Sequence, residues 1–375
     1  MNIPFHKTHT NQEEIDAAVN AIKSGWLTMG PKTVEFEENF KNYIGTSNAV
    51  SLNSATAALH LALKAVGIER GDEVILPTNT FVATAEVVTY FDAIPVLCDI
   101  EEDTYNMDIS KIEALITKKT KAVIPVHFAG QPCDMDELYI IAKEYNLKVI
   151  EDAAHALPSK YKGVKIGNLA KTDVTCFSFY ATKTLSTGEG GMATTNNNDY
   201  AKSIKINRLH GISKDAWDRY TIKGSWHYDI VDNGAKYNTT DINASIGIIQ
   251  LKKQEILREK RRNIASKYNE AFKNHPKIKI PFVKDDRETS WHLYVIKLEK
   301  RDEVIELLKE KGVGCSVHFI PVHKHTYYKD KYGYQERDYP IANSVFERSL
   351  SLPIYPDMSD IEIEYVIEKL KEVIS

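Results

Sequence analysis

The chain has 375 residues, 43% of them hydrophobic and 27% charged, and 48 Lys and Arg against 52 Asp and Glu leave a net charge of −4. That length buries a sizeable core, in two domains or one large one, and the slightly acidic balance argues against nucleic acid as a partner. No apolar run reaches membrane-spanning length and residues 1–7 lack the apolar core of a signal peptide, so a cytoplasmic protein that engages no membrane is expected.

From about residue 48 to 195 short β-branched runs alternate with helical ones. Residues 49–52 predict a strand and 55–66 a helix, with Asn53 and Ser54 as its N-caps. A strand over 73–76 ends at Pro77, a helix covers 80–91, 94–98 is extended, and a helix lies near 109–117. A strand at 122–126, a helix at 134–145 and strands at 147–150 and 174–179 complete the series. Such alternation implies right-handed crossovers and a mostly parallel sheet, whose ligands collect at the carboxyl ends of the strands.

Asn196 to Asn198 read as a loop with a helix cap. Residues 211–240 read as irregular, with Trp217, Tyr220, Trp226, Tyr228 and Tyr237 packed on a partner subunit or placed over a ligand. After Asp241 one long helix, or two abutting ones, runs to about 272. Strands at 291–297 and 314–319 and helices at 302–311, 341–347 and 360–373 follow. The expected fold class is α/β: a large domain, residues 1–245, with a mostly parallel sheet flanked by helices, then a smaller C-terminal α+β domain, residues 246–375.

Two of the strands lead to chemistry. One feeds Glu151-Asp152-Ala153-Ala154-His155, and the other feeds Lys183, followed by the turn Gly188-Glu189-Gly190-Gly191. Taken singly, a lysine after a strand is a solvated surface residue and an aspartate before two alanines is a helix cap. A third element changes that reading. Small residues at 54–58 open a helix whose unpaired first-turn N–H groups, with its dipole, favour a phosphate. An amine, a carboxylate and a phosphate cradle are the set that pyridoxal 5'-phosphate (PLP) requires, the lysine as covalent partner and the aspartate keeping the pyridine nitrogen protonated. Cys98, Cys133, Cys176 and Cys315 show no Cys-x-x-Cys spacing and read as reduced thiols. His318, His323 and His325 lack a carboxylate or thiol at ligand spacing, so no metal is expected.

Nearly end to end, the chain resembles the DegT/DnrJ/EryC1/StrS family of PLP-dependent nucleotide-sugar aminotransferases, of the fold-type I architecture. The resemblance is carried by 25–31, 53–59, 79–84, 151–156, 208–212, 236–244, 318–323 and 352–356, in order and spacing. It implies phosphate contacts from Ala55, Thr56 and Ser178, and Phe81 stacked on the pyridine. It also implies Asp152 on the ring nitrogen, His155 near the ring oxygen, and Asn238 on the phosphate of the neighbouring subunit's cofactor, so that a homodimer is part of the mechanism. Trp26, Met29, His210 and His318 are the implied substrate-side residues. Arg208 and Arg219 are candidates to line an open sugar-nucleotide site, with surface salt bridges as the alternative.

Lys183 separates this chain from relatives that carry histidine there and act as dehydratases on the pyridoxamine form. The resemblance thus implies transamination through pyridoxamine 5'-phosphate, with L-glutamate as donor and a keto-sugar on a nucleoside diphosphate as acceptor, in amino-sugar, O-antigen or other surface polysaccharide synthesis. Tyr180-Ala181-Thr182 before the lysine is similar to the branch aminating sugar C4, whereas the C3 branch tends to Pro-Gly or Pro-Ala. Amination at C3 or of a cyclitol ketone stays open, as does a non-enzymatic regulator that kept the fold.

Overall fold

The computed structural model describes residues 1–213 and 228–375. Trp217, Arg219, Tyr220 and Trp226 lie outside the described residues. Two helices that the sequence reading did not assign come first, α1 (Gln12–Lys23) and α2 (Pro31–Ile44). The alternating region then supplies β1 (Asn48–Leu52), α3 (Ala55–Ala65), β2 (Glu73–Pro77), α4 (Val82–Thr89), β3 (Ile94–Cys98) and β4 (Thr120–Val123). It continues through α5 (Met135–Glu144), β5 (Lys148–Asp152), the short β6 (Lys160–Tyr161) and β7 (Val164–Lys165), β8 (Val174–Ser178), β9 (Gly191–Thr195) and α6 (Asn198–Asn207).

Among the described residues, seven strands form one sheet in the order β1-β9-β8-β5-β4-β2-β3. Every neighbouring pair is parallel except those of β9, which runs against both β1 and β8. Alternate side chains go to opposite faces, as the pleat requires. Val50, Leu52, Val74 and Leu76 pack on one side with Leu59 and Leu63 of α3, while Ala49, Ile75, Phe177 and Met192 pack on the other with Phe36 and Phe40 of α2. With both faces covered, β5 and β8 can deliver their ends only at the edge of the sandwich, where Asp152 and the approach to Lys183 emerge.

The rest of the chain is α7 (Asp241–Lys252), α8 (Gln254–Phe272), β10 (Arg287–Glu288), β11 (Tyr294–Lys297), α9 (Arg301–Glu310), α10 (Thr326–Tyr332), α11 (Pro340–Arg348), β12 (Ser349–Leu352) and α12 (Asp360–Ile374). Its own core gathers Tyr268, Phe272, Tyr294, Leu350, Val366 and Leu370, and Ile3 joins them, its N–H on the Gly312 carbonyl at 2.8 Å. That link from the chain's start leaves Phe5 and His6 beside the large sheet's edge.

Two expectations change, one open alternative is decided and one strand is new. The helix expected at 109–117 is two 3-10 turns, Ile109–Lys111 and Glu113–Leu115, for the segment is too short to repay an α-helical nucleus. No strand forms at 314–319; Ser316 makes a single bridge to Ser351, and β12 is what pairs with β11. Of the two forms expected after Asp241, the structure has two abutting helices, which meet at Lys253. β9 was hidden because it begins on the last glycine of a run that reads as a turn.

Gly191 is needed where β9 crosses the start of α3. A Cβ there would run into the Ser54 carbonyl and lie 2.7 Å from the Ala55 nitrogen. Gly191→Ala is therefore expected to cost about 1–3 kcal/mol of overpacking strain. Chemical denaturation of the cofactor-free protein measures it, and an unchanged midpoint would show that the α3 N-terminus yields freely.

Candidate active site

The ends of β5 and β8, the N-terminus of α3 and residues from both ends of the chain enclose a cavity of about 520 Å³. Lys183 and Asp152 line it, together with Ala55, Thr56, Phe81, His155, Ser178 and His318 from the expected set. Lys183 sits on a closed loop. Its own N–H donates to the Tyr180 carbonyl at 2.9 Å, and Phe179 is tied to both Gly190 and Thr187, at 2.8 and 2.9 Å. The Thr184 hydroxyl donates to the Leu157 carbonyl, which anchors the loop to the segment after β5.

The amine and the carboxylate perturb each other. Burial lowers the Lys183 amine from 10.5 to about 8, and the Asp152 charge opposes that fall. Burial likewise raises Asp152, against the Thr84 hydroxyl, the Ala154 N–H and the Lys183 charge. Thr84 Oγ1 donates to Asp152 Oδ2 at 2.8 Å and the Ala154 N–H to Oδ1 at 3.1 Å. Because Thr84 spends its proton on Asp152, the Thr80 hydroxyl 2.8 Å away must donate to Thr84. This relay fixes the carboxylate's plane.

At the opposite wall Ser54 Oγ accepts from the Ala57 N–H at 3.0 Å, leaving the N–H groups of Ala55 and Thr56, which have no carbonyl a turn behind them, at the cavity. Phe81 is 59% exposed there, its ring 5.9 Å from that of Phe319. His155 Nδ1 accepts from the Ala129 N–H at 3.3 Å, so its proton is on Nε2. Its ring lies 4.4 Å from that of His292. Burial first, then the Lys183 charge, holds His155 well below the usual range and His318 at about 4. Burial, Arg261 and Lys183 take His6 to about 4, and burial, His155 and Lys183 depress His292. Four neutral imidazoles thus surround one amine.

Thr80, Thr84, His6, His292 and Phe319 are cavity residues that sequence reasoning missed. Thr80 and Thr84 carried a signal, being one turn apart at the start of a helix after a strand; the others carried none. Four expected residues are not at this cavity in their own chain. Trp26 Nε1 donates to the Met29 carbonyl at 3.1 Å, Met29 is buried with Leu209 and Ile212, His210 is exposed, and Asn238 Nδ2 donates to the Thr239 carbonyl at 3.0 Å. Arg208 neither lines the cavity nor lies at the surface: it is buried in an ion pair with Glu37 and donates to the Ser51 carbonyl at 3.0 Å.

An unpaired helix N-terminus, a buried carboxylate and an amine of lowered basicity around one enclosed space fit PLP: phosphate, ring nitrogen and aldehyde each find a complementary group. Among the described residues no cluster of His, Cys, Asp and Glu could hold a metal ion, and no helix is long and apolar enough to cross a membrane.

The model of the DegT/DnrJ/EryC1/StrS aminotransferase family matches residues 8–371. The chain belongs to that family. It is 46% identical to the spore coat polysaccharide biosynthesis protein SpsC of Bacillus subtilis, over 99% of this chain and 97% of that one. It superposes on a candidate sugar aminotransferase, Spr1654 of Streptococcus pneumoniae in its pyridoxamine phosphate form, with a TM-score of 0.92 and 38% identity over 99% of both chains. PseC of Helicobacter pylori, an aminotransferase in pseudoaminic acid biosynthesis, gives 0.92 at 26% identity over 100% of this chain and 99% of its own. The fold is that of the fold-type I PLP enzymes, and the protein is a PLP-dependent aminotransferase of the sugar-modifying family.

A Lys183 amine that is half neutral near pH 8 makes a direct prediction. In the cofactor-free enzyme, covalent capture of added PLP rises with pH through about 8 and not through 10.5. Asp152→Asn removes the charge that favours the protonated amine and moves that midpoint down. Visible absorbance after rapid mixing at a series of pH values reads both, and a midpoint near 10.5 would mean a solvated amine.

Proposed function

We propose that this enzyme moves an amino group from L-glutamate to C4 of a keto-sugar carried on a nucleoside diphosphate, for amino-sugar and surface polysaccharide synthesis in the cytoplasm. The observation that carries the reading is the placement of Lys183, a free amine of lowered basicity, in a cavity that also holds a fixed carboxylate and an unpaired helix N-terminus. The naming of SpsC for polysaccharide biosynthesis supports the pathway class, and Tyr180-Ala181-Thr182 before the lysine supports C4.

In this reading residues 1–245 hold the cofactor and 246–375 close over it. When bound, PLP supplies the electron sink for the carbon that loses its proton. Lys183 Nζ takes that proton from the donor and returns it across the same face. Asp152, oriented by Thr84, holds the proton of the ring nitrogen, while Ala55, Thr56 and Ser178 bind phosphate. Phe81 covers the ring and His155 Nε2–H meets its oxygen. The neutral histidines keep Lys183 the one group in the pocket that readily exchanges a proton near pH 8.

A homodimer is part of the proposal. Ile15, Val19 and Ile22 form an exposed apolar stripe on α1, whose other side packs on α7, and Leu27 and Val34 extend it. A second copy of the chain would cover that stripe and bring Trp26, Met29, His210 and Asn238 to a cavity they do not reach at home.

Loading the enzyme with glutamate and chasing it with a panel of nucleotide-linked 4-keto and 3-keto sugars tests the assignment. Return of the original absorbance with one 4-keto sugar is the expected result. Return only with 3-keto sugars moves the amine to C3, and clean loading with no return moves the acceptor outside nucleotide sugars, to a cyclitol ketone among others. Lys183→Ala is expected to keep cofactor without covalent attachment and to lose at least ~10²–10⁴-fold in rate. Asp152→Asn is expected to lower kcat by ~10²–10³-fold with a smaller effect on cofactor affinity, since its benefit grows with the charge developed in the ring.

A further inference from the structure

α2 has no N-terminal cap of its own. Its N-cap position is Gly30 and its first residue is Pro31, and neither offers a side chain that can accept a hydrogen bond. The missing acceptor is the carboxylate of Asp241, more than two hundred positions later. Asp241 Oδ1 accepts from the Gly30 N–H at 2.8 Å, the Thr33 N–H at 2.9 Å and the Thr33 hydroxyl at 2.7 Å; Oδ2 accepts from the Lys32 N–H at 3.0 Å. The Asp241 N–H in turn donates to the Thr28 carbonyl at 3.2 Å. Asp241 is also the first residue of α7, so one carboxylate, 2% exposed, lies at the positive ends of two helices. Its burial is compensated by those four donors and two dipoles.

Two segments meet at this carboxylate. One is the turn 26–30, where a Cβ on Gly30 would overlap the Trp26 indole, lying 2.8 Å from Cε2, so the indole is in close contact with the turn at Gly30. The other is the stretch 236–240. There the Tyr237 N–H donates to the Arg208 carbonyl and the Tyr237 carbonyl accepts from the Asn53 N–H, both at 2.8 Å. Asn238 is therefore held between a fixed residue on one side and Asp241 on the other, and its buried amide oxygen has no partner within the described chain. Met29 is packed on Leu209 and Ile212 beneath. The exposed apolar Leu27 and Val34 flank the same block.

We propose that Asp241 is a positioning residue that locks the 26–30 turn and the Asn238 stretch into one rigid block, which the second subunit's active site receives. This rests on the shared-site homodimer proposed above. A cap that served α2 alone would leave catalysis in the other subunit untouched, whereas a block held by Asp241 transmits any loosening to its partner's site.

The test uses intact dimers carrying two tags. The Asp241→Asn homodimer, which turns one acceptor into a donor against the α2 N-terminus, is expected to remain dimeric, to lose cofactor on dialysis faster than wild type, and to fall by ~10–10²-fold in kcat/KM, the scale of an ångström-sized misplacement. Purified heterodimers of Asp241→Asn with Lys183→Ala then decide the matter. One of their sites combines both substitutions and the other neither, so activity and cofactor retention at half the wild-type level are expected. Activity no higher than the Asp241→Asn homodimer would place the effect within its own chain and overturn the proposal. Asn238→Ala, whose homodimer is expected to lose activity, is paired with Lys183→Ala as the control for the shared site. Half activity there, without it for Asp241→Asn, overturns the role of Asp241 alone; failure of both pairs overturns the shared site and the proposal with it. Should Asp241→Asn fail to fold, Thr33→Val removes one donor from the same carboxylate; its homodimer is expected to lose activity and its heterodimer with Lys183→Ala to recover half the wild-type level, and a fully active homodimer would overturn the proposal.

Discussion

Burial works against both charges of the Lys183–Asp152 pair, and each opposes what burial does to the other. An isolated amine in this cavity would tend to neutrality and so would an isolated carboxylate. Together, the Asp152 charge limits the fall of the amine, to about 8, and the Lys183 charge opposes the rise of the carboxylate. The neighbours respect that balance: His6, His155, His292 and His318 are all held below the usual imidazole range, so none of these four adds a positive charge to compete with Lys183. Desolvation, which destabilises the empty pocket, is also what makes the amine usable.

Holding such a pair requires a frame that cannot relax, and the sheet supplies it. β5 and β8 are adjacent, parallel and covered on both faces, so their ends are set side by side by backbone hydrogen bonds. β9 returns antiparallel beside β8 and brings Gly191 against Ser54, which fixes the α3 N-terminus relative to the lysine loop. Amine, carboxylate and anion site are thus referred to three neighbouring strands and not to flexible connections.

That logic explains which parts were legible from residues alone. Period and breaker signals located the parallel strands and α3, and the motif around Asp152 and Lys183 located the chemistry, because each is a local pattern. β9 was not legible because Gly188 to Gly191 reads as a turn and only its pairing with β1 and β8 makes it a strand. Thr84 was passed over because its role depends on the Asp152 oxygen it meets 68 positions later. Arg208 looked like a surface or substrate cation; its partner Glu37 lies on a helix that no motif announced.

Distant carboxylates recur as the joints of this molecule. α11 also begins on a proline, Pro340, with no side-chain cap of its own, and it too is capped from afar: Asp99 accepts from the Ile341 and Ala342 N–H groups at 3.1 and 2.9 Å. Proline at the first position suits a helix start and removes one unpaired donor, but leaves the next ones to be satisfied. A local cap would satisfy them within one segment and connect nothing. A carboxylate arriving from more than two hundred residues away satisfies them and fastens two parts of the chain at once: Asp99 ties the end of β3 to the C-terminal part, and Asp241 ties α7 to α2. Sequence rules for helix starts search only the adjoining residues, so both starts look defective until the fold is known. These starts are the points at which the fold is held together.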